Sequence, residues 1–194
     1  MTDPLPAVDE LRRERARFME TLDSLTDVEF DTGPTLCAGW SPRDVLAHVI
    51  GTDRIGVFLR GGRLRRVNDL MVQRGRAMSR AELSRAGWRA AEDPSRFSRA
   101  LALPMLGDVA VHHQDVMRGL GRSRELPTPV AAAIFRAGIN LGTWKGATLL
   151  HYRVVPTTPG GRPLGRGRRV RGTTEALGMW MAGRDCVAAE LEFG

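Results

Sequence analysis

Ser41-Pro42-Arg43-Asp44 is a helix start spelled out in four residues. It offers a hydroxyl to cap, a proline whose fixed φ suits the first helical position, and an acid three residues on that closes back over the cap. An apolar run from Val45 to Ile50 follows, so a helix is expected here, reaching about Leu59 and stopping at Gly61-Gly62. The same grammar recurs along the chain. Ser79 with Glu82 opens a helix to Ala91, which Asp93-Pro94 breaks. Gly121 closes a helix over about Met105 to Leu120, and Pro127-Thr-Pro129 opens one running through Ala131 to Thr148. Upstream, Leu11, Phe18, Met19, Leu22 and Leu25 form the apolar face of a first helix over Val8 to Leu25.

The pattern changes after Leu149. Leu149 to Val155 carries β-branched and aromatic residues and reads as a strand. A Pro/Gly/Arg-rich loop over 156–168 follows, then Arg169-Val-Arg171 as a short return strand and a helix from Glu175 to Ala182 capped by Thr173. Arg63 to Arg76 reads as an irregular basic crossover. The expected fold class is mainly α, a four-helix bundle with a small C-terminal β-hairpin plus helix, divided into residues 1–148 and 149–194.

At 194 residues the chain can bury a sizeable core. Its formal charge of +7 raises nucleic acid as a partner, but the excess is almost all arginine, with Lys145 the only lysine, and is spread through helices and loops. Nucleic-acid binding is therefore not favoured. Cys37 and Cys186 show no framework spacing, the first residues lack a signal-peptide pattern, and no apolar run is long enough to span a bilayer. A cytoplasmic location with reduced thiols is the expectation, with no membrane partner.

The chemistry concentrates in Gly107 to Asp115. Asp108 and His112, four residues apart on a helix, share a face. With His48 they offer two imidazoles and a carboxylate, an open divalent-metal set, although spacing alone leaves a helix-surface pair and a core histidine as alternatives. His113 points about 100° away from His112 and reads as a bundle-edge residue. Asp115 reads either as an orienting carboxylate for a ligand imidazole or as a surface ion pair. Cys37 reads as structural rather than as a nucleophile, Trp40 as core packing before the cap, and Gly160 to Arg169 as a solvated loop.

Three stretches resemble the mycothiol-dependent maleylpyruvate isomerase family, within the DinB-like superfamily: Gly39 to His48, Leu106 to Gly121, and Val170 to Arg184. The resemblance implies an up-down-up-down four-helix bundle holding a divalent metal, Zn²⁺ above all, through His48, Asp108 and His112. The family motif commonly has glutamate where this chain has Asp108. Mycothiol is the implied thiol and a small electrophile the implied substrate, giving an isomerase or S-transferase whose metal activates the thiol. A homodimer is compatible with this reading. The alternative is a non-catalytic metal-binding or stress-response module of the same fold.

Overall fold

The start signals hold. In the computed structural model, which describes residues 6–53, 64–144 and 148–194, Ser41 sits in extended conformation ahead of α3 (Pro42–Thr52), and Asp44 accepts its backbone N–H at 3.2 Å. The expected continuation of this helix to Leu59 lies outside the described residues. Ahead of it run α1 (Pro6–Asp23) and a short α2 (Asp27–Thr32), which the sequence reading did not anticipate and which Thr26 and Glu29 close with a capping box. Ser79 and Glu82 form the box that starts α5 (Arg80–Glu92). The site-bearing α7 (Ala102–Gly119) follows a five-residue helix, α6 (Arg96–Ala100). Gly121, at φ 66°, ends α7 in a Schellman arrangement: Arg122 N–H donates to Met117 C=O at 2.8 Å and Gly121 N–H to Arg118 C=O at 3.1 Å.

One basic segment was misread. Residues expected to be an irregular crossover form α4 (Leu64–Arg76). Its arginines masked a sparse apolar stripe: Val67 and Met71 are buried one turn apart, with Val72 beside them. Gly75, one turn further on, lies so close to Ala47 that a Cβ would collide with it.

The chain divides into two compact units, residues 1–125 and 126–194. In the first, α1 packs on α5 and α7, and α3 packs on α5 and α7, closing a ring of four helices, with α4 against α3. Leu11, Phe18, Leu22, Val45, Leu46, Leu83, Val109, Ala110 and Val116 fill it. The four helices are thus complete by Gly119. The next long helix, α8 (Thr128–Trp144), packs on α10 (Thr174–Met181) in the second unit, where Gly138 and Gly178 bring the two backbones into contact.

The C-terminal sheet differs from the expected hairpin. Thr148–His151 is a helical turn, α9, so the strand begins only at Tyr152. The sheet has four strands in the order β2 (Leu164–Gly165), β1 (Tyr152–Pro156), β3 (Arg168–Gly172), β4 (Glu192–Phe193). β2 pairs antiparallel to β1, but β3 runs parallel to β1, Val154 beside Val170, and is not a return strand. The reversal is made by Gly165 and Gly167, at φ 80° and 103°, where the chain passes against the backbone carbonyls of Tyr152 and His151. Only glycine accepts both that φ and that approach. Val154 and Val170 are fully buried, whereas Arg153, Arg169 and Arg171 are exposed. The remaining segment, Asp185–Glu190, is a 3₁₀ helix.

Candidate metal centre

Within the first unit, α3 and α7 bring His48, Asp108 and His112 together. The ring nitrogens Nε2 of His48 and of His112 each lie 3.7 Å from Asp108 Oδ1, and the two rings meet edge to face with centroids 4.7 Å apart. One ligand atom from each of the three residues falls within 4.8 Å of the others. Burial works against the Asp108 charge, but the His48 hydrogen bond and the charges of both imidazoles outweigh it and hold the carboxyl at about 2. Asp108 is therefore an anion at neutral pH.

His112 is held from behind. Its Nδ1 lies 3.0 Å from Asp115 Oδ2, and Asp115 is 0% exposed. Burial disfavours the charged ring, yet the bonds to Asp115 and Cys37 and the nearby Asp108 charge raise its pKa to about 10. Of the two readings of Asp115, the orienting carboxylate matches this geometry. At neutral pH the ring is therefore charged, and a metal would have to displace the Nε2 proton; with Asp115 keeping the proton on Nδ1, Nε2 is then the lone-pair nitrogen, on the side of Asp108 and His48. His48 Nδ1, by contrast, is buried with no hydrogen-bond partner among the described residues.

Two residues read as structural line this centre. Cys37 Sγ donates to Asp115 Oδ2 at 3.0 Å and lies 3.5 Å from His112 Nδ1. The Trp40 ring, which was expected in the core, is half-buried, 5.3 Å from the His48 ring and 6.2 Å from that of His112. Both line an open cleft of about 570 Å³, whose rim also carries Arg43 and Arg76. Nothing in the sequence around Cys37 announces a contact 75 residues distant. The loop that carries it is fixed by Leu36 N–H donating to Asp115 C=O at 3.0 Å and by the Thr35 hydroxyl donating to Trp40 C=O at 2.8 Å.

His113 is not at an edge. It is 1% exposed on the α1 side of α7, with Nδ1 2.9 Å from Glu14 Oε1 and Nε2 2.9 Å from the Thr21 hydroxyl. Burial drives its pKa down, so the ring is neutral: Nδ1–H donates to the carboxylate and Nε2 accepts from Thr21. Burial also opposes the Glu14 charge, but His113 and Arg124, the latter at 2.6 Å, outweigh it and keep its pKa below the ordinary value. This buried network is separate from the His48–Asp108–His112 group.

The mycothiol maleylpyruvate isomerase N-terminal domain model matches residues 11–102, which include His48 but end before Asp108. A crystal structure of a histidine-to-alanine mutant of the mycothiol-dependent maleylpyruvate isomerase superposes with a TM-score of 0.70 at 15% identity, covering 98% of this chain and 93% of that one. A second crystal structure of the mycothiol-dependent maleylpyruvate isomerase gives 0.66 at 16% identity, covering 93% and 90%. No curated protein sequence matches. The fold expected from the sequence resemblance is the fold observed.

Proposed function

Because this chain carries the N-terminal domain of the mycothiol maleylpyruvate isomerase family over residues 11–102, on that enzyme's fold, we propose that it is a metal-dependent isomerase or S-transferase using mycothiol and a small electrophilic substrate. The observation that carries the proposal is the convergence of His48 Nε2, Asp108 Oδ1 and His112 Nε2 from two helices. The donor set fits a divalent ion: two borderline nitrogens and one hard oxygen suit Zn²⁺, and three protein ligands leave a position open. Tetrahedral coordination would bring nitrogen and oxygen donors to roughly 3.3 Å of one another, so the 3.7 Å separations need only a small contraction. An ion bound there supplies Lewis acidity that ionises a thiol near neutral pH.

The chain's own residues do the rest. Asp115 fixes the His112 tautomer, and Asp108 contributes a negative charge between the two rings. Trp40 screens the imidazoles from water on the cleft side. Arg43 and Arg76 on the cleft lining are paired with Asp31 and Asp44, so this wall of the cleft presents two charge-balanced pairs. Arg76 is tied to Asp44 by two hydrogen bonds, 2.9 and 2.7 Å, so its guanidinium is held in place.

The test is metal analysis of the purified protein together with mycothiol-dependent turnover of a panel of electrophiles that includes maleylpyruvate. Stoichiometric metal, lost in His48→Ala, and thiol-dependent turnover are expected. Absence of stoichiometric metal, or its retention after His48→Ala, overturns the metal reading. Metal without turnover of any electrophile leaves the non-catalytic module, which the shorter Asp108 side chain favours.

A further inference from the structure

His112 faces two groups of donors, one at each ring nitrogen. Its Nε2 looks toward His48 and Asp108; its Nδ1 looks toward Cys37 Sγ and Asp115 Oδ2. We propose that Cys37, His112 Nδ1 and Asp115 form a second cation site, one that takes thiophilic ions of the Cd²⁺ class.

The second group is the tighter of the two. Its edges are 3.0 Å for Sγ to Oδ2, 3.5 Å for Sγ to Nδ1 and 3.0 Å for Nδ1 to Oδ2. Zn²⁺ bonds of about 2.0–2.3 Å at tetrahedral angles place such donors roughly 3.3–3.6 Å apart, and the larger Cd²⁺ spreads them further, so an ion enters as these donors move outward from their present hydrogen-bond distances. The His48–Asp108–His112 group, at 3.7 Å on two edges, contracts slightly for Zn²⁺ instead.

The donors are also fixed in place. Asp115 is fully buried on α7, and its own C=O holds the Cys37 loop through Leu36 N–H. Gly119 lets that loop lie flat on the helix, because a Cβ there would collide with Thr35 Cα and the Pro34 carbonyl. Cys37 opens on the cleft of about 570 Å³, which gives an ion a way in and water a fourth ligand position. A sulfur donor beside a nitrogen and a carboxylate oxygen selects for soft ions over Mg²⁺ or Ca²⁺.

The two sites exclude each other. A neutral imidazole has one lone pair, so His112 serves one ion at a time. When an ion takes Nδ1, the Nδ1 proton and the Cys37 proton both leave to solvent, and the ring keeps its other proton on Nε2, facing Asp108 Oδ1. The second site stands by itself; the competition rests on the metal reading proposed above.

The experiment uses the full chain carrying Cys186→Ser, which removes the exposed second thiol. Titration with Cd²⁺ is expected to give a sulfur-to-cadmium charge-transfer band saturating at one ion per chain. Cys37→Ser should abolish the band with the far-ultraviolet circular dichroism unchanged, and His48→Ala should leave it intact. Protein preloaded with Zn²⁺ should release it mole for mole as Cd²⁺ binds, read with a colorimetric chelator. No band, a band that survives Cys37→Ser, or one lost in His48→Ala overturns the second site. Zn²⁺ that stays bound while the band develops overturns the competition alone. Protein that never loads Zn²⁺ refutes the metal reading of the first site and leaves the band as the test of the second.

Discussion

At the scale of single residues, His112 and His113 differ only in which way they leave α7, and that decides their chemistry. One ring joins Asp108 and His48; the other is sealed against Glu14. Asp115 acts on the first through Nδ1. Asp115→Asn is therefore expected to weaken divalent-metal affinity about 10- to 100-fold, the usual cost of losing the partner behind a ligand histidine, as measured by chelator competition. Glu14 acts on the second. Glu14→Gln leaves Arg124 buried beside a neutral group and should destabilise the protein by about 3–5 kcal/mol at pH 7 in urea melts. Because the folded-state pKa of Glu14 lies below its ordinary 4.5, its contribution is present above that value and fades as pH falls through the folded pKa. The gap between the two proteins should accordingly narrow in melts taken below pH 4.5.

At the scale of elements, the helices expected from a start signal formed close to the expected positions, whereas the Thr26–Glu29 box that opens α2 was not picked out from the sequence. The caps at Thr26, Ser79 and Thr173 each accept an N–H from the first turn, a contact that neighbours in sequence make without outside help. Ser79→Ala should cost about 1 kcal/mol in thermal or urea unfolding. Elements without caps were harder to read. α4 was hidden by its arginines, and the direction of β3 depends on the chain crossing under His151 at Gly167. Gly119→Ala tests the equivalent close approach beside the candidate metal centre. It should destabilise the fold by roughly 1–3 kcal/mol through overpacking, and because it displaces the Cys37 loop it should also weaken the Cd²⁺ band.

At the scale of the whole molecule, charge is unevenly shared. Residues 126–194 hold nine of the basic side chains against four acidic ones, so +5 of the net +7 lies in the second unit. The four arginines on the sheet, Arg153, Arg168, Arg169 and Arg171, are exposed. Among the described residues no helix is long and apolar enough to cross a membrane. If the first unit holds an ion as proposed, metal and folding are linked: at a hundredfold excess over Kd, Zn²⁺ should stabilise the folded state by about 2.7 kcal/mol. The unfolding transition should rise with Zn²⁺, fall back in chelator, and lose that response in His48→Ala.

The sequence by itself determined most of the long helices and put forward His48, Asp108 and His112 as candidate ligands. Caps, terminating glycines and an i,i+4 pair act over one helical turn, and the resemblance to a family supplied His48 as the third member. Only the tertiary structure decided what surrounds them. Cys37 reaches His112 and Asp115 because Gly119 lets its loop lie on α7, and Trp40 turns from the core toward the imidazoles. β3 runs beside β1 in parallel because two glycines at positive φ turn the chain twice. Such contacts join residues far apart in sequence. No local preference encodes them, and packing alone selects which loop meets which helix.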